Sequence, residues 1–156
     1  MELIARPLVA EAFLPFGDVL EPPVEQGQRF YNSALGNLRA GASPNLRIIN
    51  ILPTTLPLKA NLLERHEFSS QTFLPLEVSR VLIVVALHAS EAGPDIKRAQ
   101  AFLASARQGF TYRPNTWHHA LTALDQSARI AVFMWCDGTG ADEQLVSVPT
   151  FFVHEP

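Results

Sequence analysis

Apolar residues occur along this chain in short runs that prolines and glycines separate. The runs have the length of strands, and this pattern is typical of an all-β domain. Two of them, RVLIVVAL (residues 80–87) and RIAVFMW (129–135), are apolar at nearly every position, as is expected of central strands covered on both faces. In all, the pattern predicts ten strands, at residues 29–34, 46–52, 56–67, 71–76, 80–88, 101–104, 109–113, 117–124, 129–136 and 145–153.

The other segments predict little helix and one exposed loop. Residues 9–17 and 94–102 have helical composition, and Pro94 and Asp95 stand where a helix start would place them. Residues 21–28 contain two prolines and a glycine, which predicts an exposed loop that could act as a mobile flap. No repeat or shift in composition divides the chain, so residues 1–156 are predicted to form one domain, a β-sandwich or barrel with one or two short helices.

Composition favours a small partner. The chain is 47% hydrophobic and 17% charged, which is ordinary for a folded protein. Its net charge is −3 and it has no run of lysine and arginine, so nucleic-acid binding is not predicted. Cys136 is the only cysteine, which excludes an internal disulfide and indicates a reducing compartment. The longest aliphatic run is too short to cross a bilayer, so we expect a soluble, cytoplasmic protein without a membrane partner.

The segment LLERHEFSSQTF (residues 62–73) carries the first cluster of candidate functional residues. On a strand, Glu64 and His66 lie on the same face, and a turn at FSS would return Gln71 on a paired strand. A nitrogen and two oxygen donors could then meet around one ligand or ion. In the ordinary alternative, Glu64 and Arg65 face solvent and His66 is a half-buried, hydrogen-bonded side chain.

The segment YRPNTWHHAL (residues 112–121) carries the second cluster. On a regular strand His118 and His119 point to opposite faces, and Trp117 shares the face of His119. If Trp117 packs into a second layer or a subunit contact, His118 faces the interior, which makes it the favoured functional histidine. The chain has no phosphate-binding loop, nucleophile elbow or dinucleotide fingerprint, so its chemistry falls to His, Gln, Glu and Tyr side chains.

Four blocks of the sequence, in order and spacing, resemble the bacterial ureidoglycolate lyases, formerly called ureidoglycolate hydrolases. They are EAFLPFGDVLE, LPLKANLLERHEFSSQTFLPL, VLIVVAL and QGFTYRPNTWHHAL. The resemblance implies a mainly β, cupin-like antiparallel barrel of the double-stranded β-helix type, usually a homodimer. It also implies a carbon–nitrogen lyase of the amidine-lyase class, which converts ureidoglycolate to glyoxylate and urea in allantoin degradation.

The resemblance further implies roles for individual residues. The cupin pattern places His66 and Gln71 in the early block and His118 in the late one. Because Gln71 is an amide, a weaker ligand than a carboxylate, we expect either no required cofactor or a weakly bound divalent metal such as nickel, on His66, Gln71 and His118. The expected catalytic residues are His66, His118, Gln71 and Tyr112, and the expected substrate-binding residues are Arg39, Glu64 and His119.

The implied reaction suits these side chains. Ureidoglycolate carries a hydroxyl, a carboxylate and a urea nitrogen on one carbon, so its cleavage needs a base and an acid but no nucleophile. Histidine, with an ordinary pKa of about 6.5, can serve as either.

The exposed aromatic residues expected at a dimer contact are Phe151 and Phe152.

The chain also departs from the family pattern. Members commonly have IDRGG after the last core strand, whereas this chain has WCDGTGADE, which keeps Asp137 but lacks the arginine. A changed substrate preference would follow if that arginine binds the substrate. Two alternatives therefore stay open: a metal-dependent cupin enzyme for another small hydroxy or keto acid, and a non-catalytic cupin that binds a small acid.

Overall fold

The computed structural model describes residues 1–89 and 93–156, and it is built almost wholly of strands. The described residues contain one α-helix, α1 (Ala10–Phe13), one 3₁₀ turn (Ile96–Arg98) and fourteen strands. The strands are β1 (Glu2–Ile4), β2 (Arg6–Pro7), β3 (Gly17–Leu20), β4 (Ser43–Ile51), β5 (Pro53–Thr54), β6 (Leu58–His66), β7 (Gln71–Glu77), β8 (Arg80–Ala86), β9 (Gln100–Ser105), β10 (Gly109–Tyr112), β11 (Trp117–His118), β12 (Thr122–Leu124), β13 (Ala128–Cys136) and β14 (Glu143–His154). The predicted mainly β class with one or two short helices is confirmed.

The strands form two sheets that enclose a barrel-like interior. The nine-stranded sheet runs β1-β14-β6-β11-β8-β12-β5, and β9 pairs with both β8 and β2. The five-stranded sheet runs β3-β10-β7-β13-β4. Most pairs are antiparallel, and the pairing of β11 with β6 sets His118 opposite Glu64.

Strand β8 is covered on both faces, as its unbroken apolar run predicts. Val81, Ile83 and Val85 point into the interior cluster, where they meet aromatic residues of the five-stranded sheet such as Phe73 and Phe110. The alternate residues of β8 join a second cluster on the outer face of the nine-stranded sheet, and these are Leu82, Val84 and Ala86. The prediction for β13 is only half right, because its outward residues, such as Phe133, are just partly buried.

Several predicted elements are wrong in extent. Residues 29–34 form no strand; instead Tyr31 and Ser33 hydrogen-bond to Glu21 and Asp18 from a loop. The predicted strand 117–124 is interrupted between β11 and β12. The predicted helices shrink to α1 and the 3₁₀ turn, while residues 21–28 are an exposed loop as predicted.

Phe151 is not the exposed dimer contact that the sequence suggested. The register of β14 against β6 shifts between Ser147 and Phe151, and this irregularity turns the Phe151 ring into the outer apolar cluster, where it is 0% exposed. Phe152 is partly buried on the opposite face of the strand. A search for membrane spans finds no helix in the described residues with the length and hydropathy to cross a bilayer.

Among the glycines, Gly17 lies closest to the backbone of a neighbouring strand, and this contact provides a test of the fold. A Cβ atom on Gly17 would lie 1.6 Å from the carbonyl oxygen of Thr111 on the paired strand β10. Because that clash is with backbone, we expect Gly17→Ala to lower the free energy of unfolding by roughly 1–3 kcal/mol or more. Gly27→Ala is the matched control, since nothing lies within 4 Å of its added Cβ. Equal urea midpoints for the two variants would contradict this account of β3.

Candidate active site

Strands β6 and β11 bring the two predicted histidine clusters together. Glu64 and His66 lie on one face of β6, and the β11 pairing adds His118 beside them. The ring centroids of His66 and His118 are 5.8 Å apart. Trp117 packs in the outer cluster, so strand alternation directs His118 to the interior. The side chain of His118 is almost fully buried, and that of His66 is 9% exposed.

His66 is the histidine that reaches a cavity. Its Nε2 atom lies 3.1 Å from Nε2 of Gln71. Gln71 begins β7 in the five-stranded sheet, so the two side chains meet across the interior, and the predicted pairing of the Gln71 strand with the His66 strand is wrong. The Nδ1 atom of His66 lies 3.8 Å from Oδ2 of Asp142 and has no hydrogen-bond partner in the described part of the chain. His66 therefore presents one ring nitrogen to Gln71 and leaves the other available.

The cavity lies between the ends of the two sheets and has a volume of about 190 Å³. The loop after β13 forms one side of it, and the inward face of β4 forms another. Its lining residues are Arg39, Arg47, His66, Met134, Trp135, Cys136, Thr139, Gly140, Asp142 and Glu143. Basic, acidic and imidazole groups thus meet around one space large enough for a small organic acid.

Arg39 and Asp142 hold the loop in place. Nη1 of Arg39 donates to Oδ2 of Asp137 at 2.6 Å, and Nη2 donates to the Trp135 carbonyl at 3.1 Å. Nη2 also lies 3.3 Å from Oδ2 of Asp142. The other carboxylate oxygen of Asp142 accepts the backbone N–H of Phe68 at 2.7 Å. These contacts fix the loop against the end of β6.

Burial and neighbouring charges keep His66 neutral. Burial lowers the pKa of His66 to about 4, and electrostatic interactions with His118 and Arg47 act in the same direction. Glu64 and Asp142 oppose the shift because their carboxylates favour the imidazolium. His118 lowers the pKa of Glu64 through a contact of 3.3 Å between Nε2 and Oε1, so Glu64 is ionised near neutral pH.

His118, Tyr112 and His119 do not line the cavity. Nδ1 of His118 lies 3.0 Å from the Thr116 carbonyl oxygen and donates to it, which leaves Nε2 directed at Glu64. The Tyr112 ring stacks on His118 at 4.4 Å, and burial raises the pKa of Tyr112 well above its ordinary value. His119 lines a separate recess of about 50 Å³ together with Glu64. The roles predicted for these three residues stay predictions.

The residues around His66 do not fit a tightly held metal ion. Beside the His66 imidazole lies the amide of Gln71, which is a weaker ligand for a cation than a carboxylate. Outside residues 90–92, no group of three or more His, Cys, Asp and Glu side chains is placed to hold a metal. The imidazoles and the amide are instead joined to one another and to Glu64 and Asp142.

Sequence reasoning missed two cavity residues, Asp142 and Arg47. Asp142 follows Asp137 in a glycine-containing loop, and its approach to His66 depends on the loop folding back over β6. Arg47 lies on β4 in the five-stranded sheet, far from both histidine clusters in sequence. A signal for Arg47 existed, since it interrupts an apolar strand at an inward position between Asn45 and Ile49.

Comparisons with known proteins show the family of this chain. The family model for ureidoglycolate lyase matches residues 1–153. This chain belongs to the ureidoglycolate lyase family. A protein named putative ureidoglycolate lyase from Agrobacterium fabrum is 38% identical over 94% of this chain and 90% of its own. The ureidoglycolate lyase of Brucella melitensis biotype 2 is 36% identical over 92% of this chain and 86% of its own, and that of Mesorhizobium japonicum is 37% identical over 80% of each.

A solved structure supports the cupin-like fold of this family member. The dTDP sugar isomerase from Desulfovibrio desulfuricans G20 covers 86% of this chain and 82% of its own, with a TM-score of 0.53 and 14% identity. At that identity the likeness shows the fold alone. The cupin-like barrel predicted from the sequence is confirmed, whereas the site has to be interpreted from its own residues.

The lowered pKa of His66 predicts a loss of stability in mild acid. An unfolded chain binds a proton at His66 near pH 6.5, whereas the folded site resists it until about pH 4. Above pH 6.5 His66 is neutral in both states, and the free energy of unfolding has its full value. As the pH falls from 6.5 to 4, the free energy of unfolding decreases by on the order of 3 kcal/mol. We expect His66→Gln to reduce the fall in unfolding free energy measured by urea titration at pH 7.5 and pH 4.5. An unchanged difference would show that His66 titrates normally.

Proposed function

We propose that this protein is a ureidoglycolate lyase that cleaves ureidoglycolate to glyoxylate and urea, a carbon–nitrogen lyase of the amidine-lyase class. The family match supports the substrate. The observation that carries the mechanism is the buried, unpaired Nδ1 atom of His66, a residue that lines a polar cavity together with a carboxylate and two arginines.

The reaction requires one proton to move from oxygen to nitrogen. A base removes the hydroxyl proton, the C–O bond becomes the carbonyl of glyoxylate, and the C–N bond breaks with its electron pair going to nitrogen. That nitrogen takes a proton and leaves as urea. Atoms balance without water, a nucleophile or an oxidant, so a single imidazole can accept the proton and return it.

His66 is the proposed proton carrier, because it lines the cavity and His118 does not. Its Nδ1 atom accepts the hydroxyl proton and donates it to the departing nitrogen. The imidazolium formed in between is stabilised by Asp142, whose carboxylate lies 3.8 Å from Nδ1, and by Glu64. The negative charge of a bound substrate would raise the lowered pKa of His66 back toward its ordinary value and make it a better base.

Gln71 is the proposed positioning residue for His66. A base at Nδ1 needs its proton on Nε2, and a half-turn of the Gln71 amide would offer Oε1 as the acceptor for that Nε2–H. In the orientation of the structure, Gln71 donates to Nε2 instead, and its Oε1 atom is buried without a partner among the described residues. As base and as imidazolium, His66 carries a proton on Nε2 in both states, so both require the orientation in which Oε1 of Gln71 accepts it.

We propose that the His66 ring is supported by packing against a group of three side chains, those of His118, Glu64 and Tyr112. Glu64 pairs with His118, and the Tyr112 ring covers the other side of that imidazole. The three side chains form the wall on which the His66 ring rests. We propose that no tightly bound metal is required, because of the donor set described above, and that a weakly bound divalent ion such as nickel would be held by His66, Gln71 and His118.

Replacement of His66 tests this proposal. We expect His66→Gln to lower the turnover of ureidoglycolate by roughly 100-fold or more, because the proton carrier is lost. The assay is the release of glyoxylate and urea by purified protein. His154→Gln is the control, since His154 lies near the C-terminus and away from the cavity. Near wild-type turnover in His66→Gln would remove His66 from the mechanism.

The same assay with a chelator tests the need for a metal. Turnover that survives prolonged dialysis against EDTA is expected. A loss of turnover that added nickel restores would show instead that a divalent ion takes part.

We also propose that the protein forms a homodimer through the outer face of the five-stranded sheet. Leu46 and Ile48 on its edge strand β4 are 70% and 68% exposed, and they lie beside Phe133 and Ala131 on β13. Adjacent apolar side chains on an open sheet face are typical of a protein–protein contact. The chain is its own proposed partner, in keeping with the homodimers expected from the family resemblance.

A charge on that face tests the dimer. We expect Ile48→Glu to convert the dimer to a monomer, because it would place a carboxylate in the apolar contact, as measured by light scattering after size exclusion. Val24→Glu is the control, since Val24 is fully exposed in the loop of residues 21–28. A wild-type protein that is monomeric at micromolar concentration would disprove the proposed dimer.

A further inference from the structure

The cavity contains two guanidinium groups with different surroundings. Arg39 is engaged with Asp137, Asp142 and the Trp135 carbonyl, and its side chain is only 14% exposed. Its positive charge is offset by two carboxylates already in place. The Nε–H of Arg39 is buried without a partner among the described residues, but the two carboxylates already at its Nη atoms would repel a third carboxylate.

Arg47 has no such partner. It lies on β4 opposite Val132 and lines the same cavity as His66. No carboxylate of the described residues lies within 4 Å of its guanidinium, and it is exposed to the cavity opening. Its charge reaches His66, since Arg47 is one of the groups that lower the pKa of that imidazole.

A second polar group on β4 supports an anchoring role for this face. Asn45 lies two residues from Arg47 on the same inward face, opposite Met134 of the cavity wall. Its Oδ1 atom is buried and has no partner in the described part of the chain. A buried acceptor without a partner is costly in a folded protein, and a ligand that carries a hydroxyl or N–H donor beside a carboxylate could pair with both Asn45 and Arg47.

We infer that Arg47, and not Arg39, binds the carboxylate of the substrate. This inference rests on the proposed function for the identity of that substrate. The planar guanidinium of Arg47 offers paired N–H donors that match both oxygens of a carboxylate. Ureidoglycolate carries its carboxylate on the carbon that bears the reacting hydroxyl, so anchoring at Arg47 holds that carbon in the cavity that His66 faces. Arg39 is a positioning residue that holds Asp142 and the loop.

Kinetics of two arginine variants separate these roles. We expect Arg47→Gln to raise KM by roughly 10- to 100-fold, the range for loss of a charge-assisted hydrogen bond, with little change in kcat or melting temperature. Arg47→Lys should fall between Arg47→Gln and the wild type, because it keeps the charge but loses the paired donors. Arg39→Gln should lower the melting temperature, because it frees Asp137 and Asp142. Arg129→Gln, an exposed arginine paired with Glu77, is the control.

Glyoxylate binding, measured by calorimetry on the wild type and Arg47→Gln, separates this inference from the proposed function. If glyoxylate binds to the wild type but not to Arg47→Gln, the anion site is supported, even if the wild type does not cleave ureidoglycolate. Absence of cleavage in that case would overturn only the proposed function. An active wild type with unchanged KM in Arg47→Gln would overturn the role of Arg47 and leave the lyase in place. A wild type that neither binds glyoxylate nor cleaves ureidoglycolate would overturn both.

Discussion

Burial of the nine-stranded sheet on both of its faces is the constraint from which the site follows. Strand β8 contributes alternate side chains to an interior and an outer apolar cluster, and its neighbour β11 must do the same. Trp117 fills the outer cluster, so His118 has to point inward, and β6 alternates likewise between Arg65 outside and His66 inside. A slip of one residue would exchange these faces and bury Trp117 where the imidazole belongs.

The packing of the apolar residues therefore determines where the polar groups of the site lie and how deeply they are buried. His66 and Gln71 each have a buried side-chain atom without a hydrogen-bond partner among the described residues. Such atoms cost free energy in the folded state, and buried groups without partners gather at sites that bind ligands. The same burial keeps His66 neutral near pH 7, which is the state that a proton acceptor needs. At His66, the burial that lowers the stability of the fold also provides the neutral imidazole that the proposed reaction needs.

The sequence predicts those features that depend on neighbours along the chain. Alternation around Trp117 was enough to orient His118, and one short turn was enough to bring Gln71 next to His66. Asp142 and Arg47 were out of reach, because each meets His66 only when a loop folds back or when a strand of the other sheet lies opposite. The short strand β1 is similar: it forms by pairing with β14 at the far end of the chain, and its own three residues give no local signal.

Asp142 connects the loop, the arginine and the imidazole, and its contacts explain why it acts as a fixed charge. One oxygen accepts the Phe68 backbone N–H, and the other lies 3.3 Å from Arg39 and 3.8 Å from His66. These contacts hold the carboxylate in one place. It can stabilise an imidazolium at His66 without moving, since its position is already set before the proton arrives. In this arrangement Arg39 contributes by holding that carboxylate in place, so the cation available to a substrate is the unpaired one on β4.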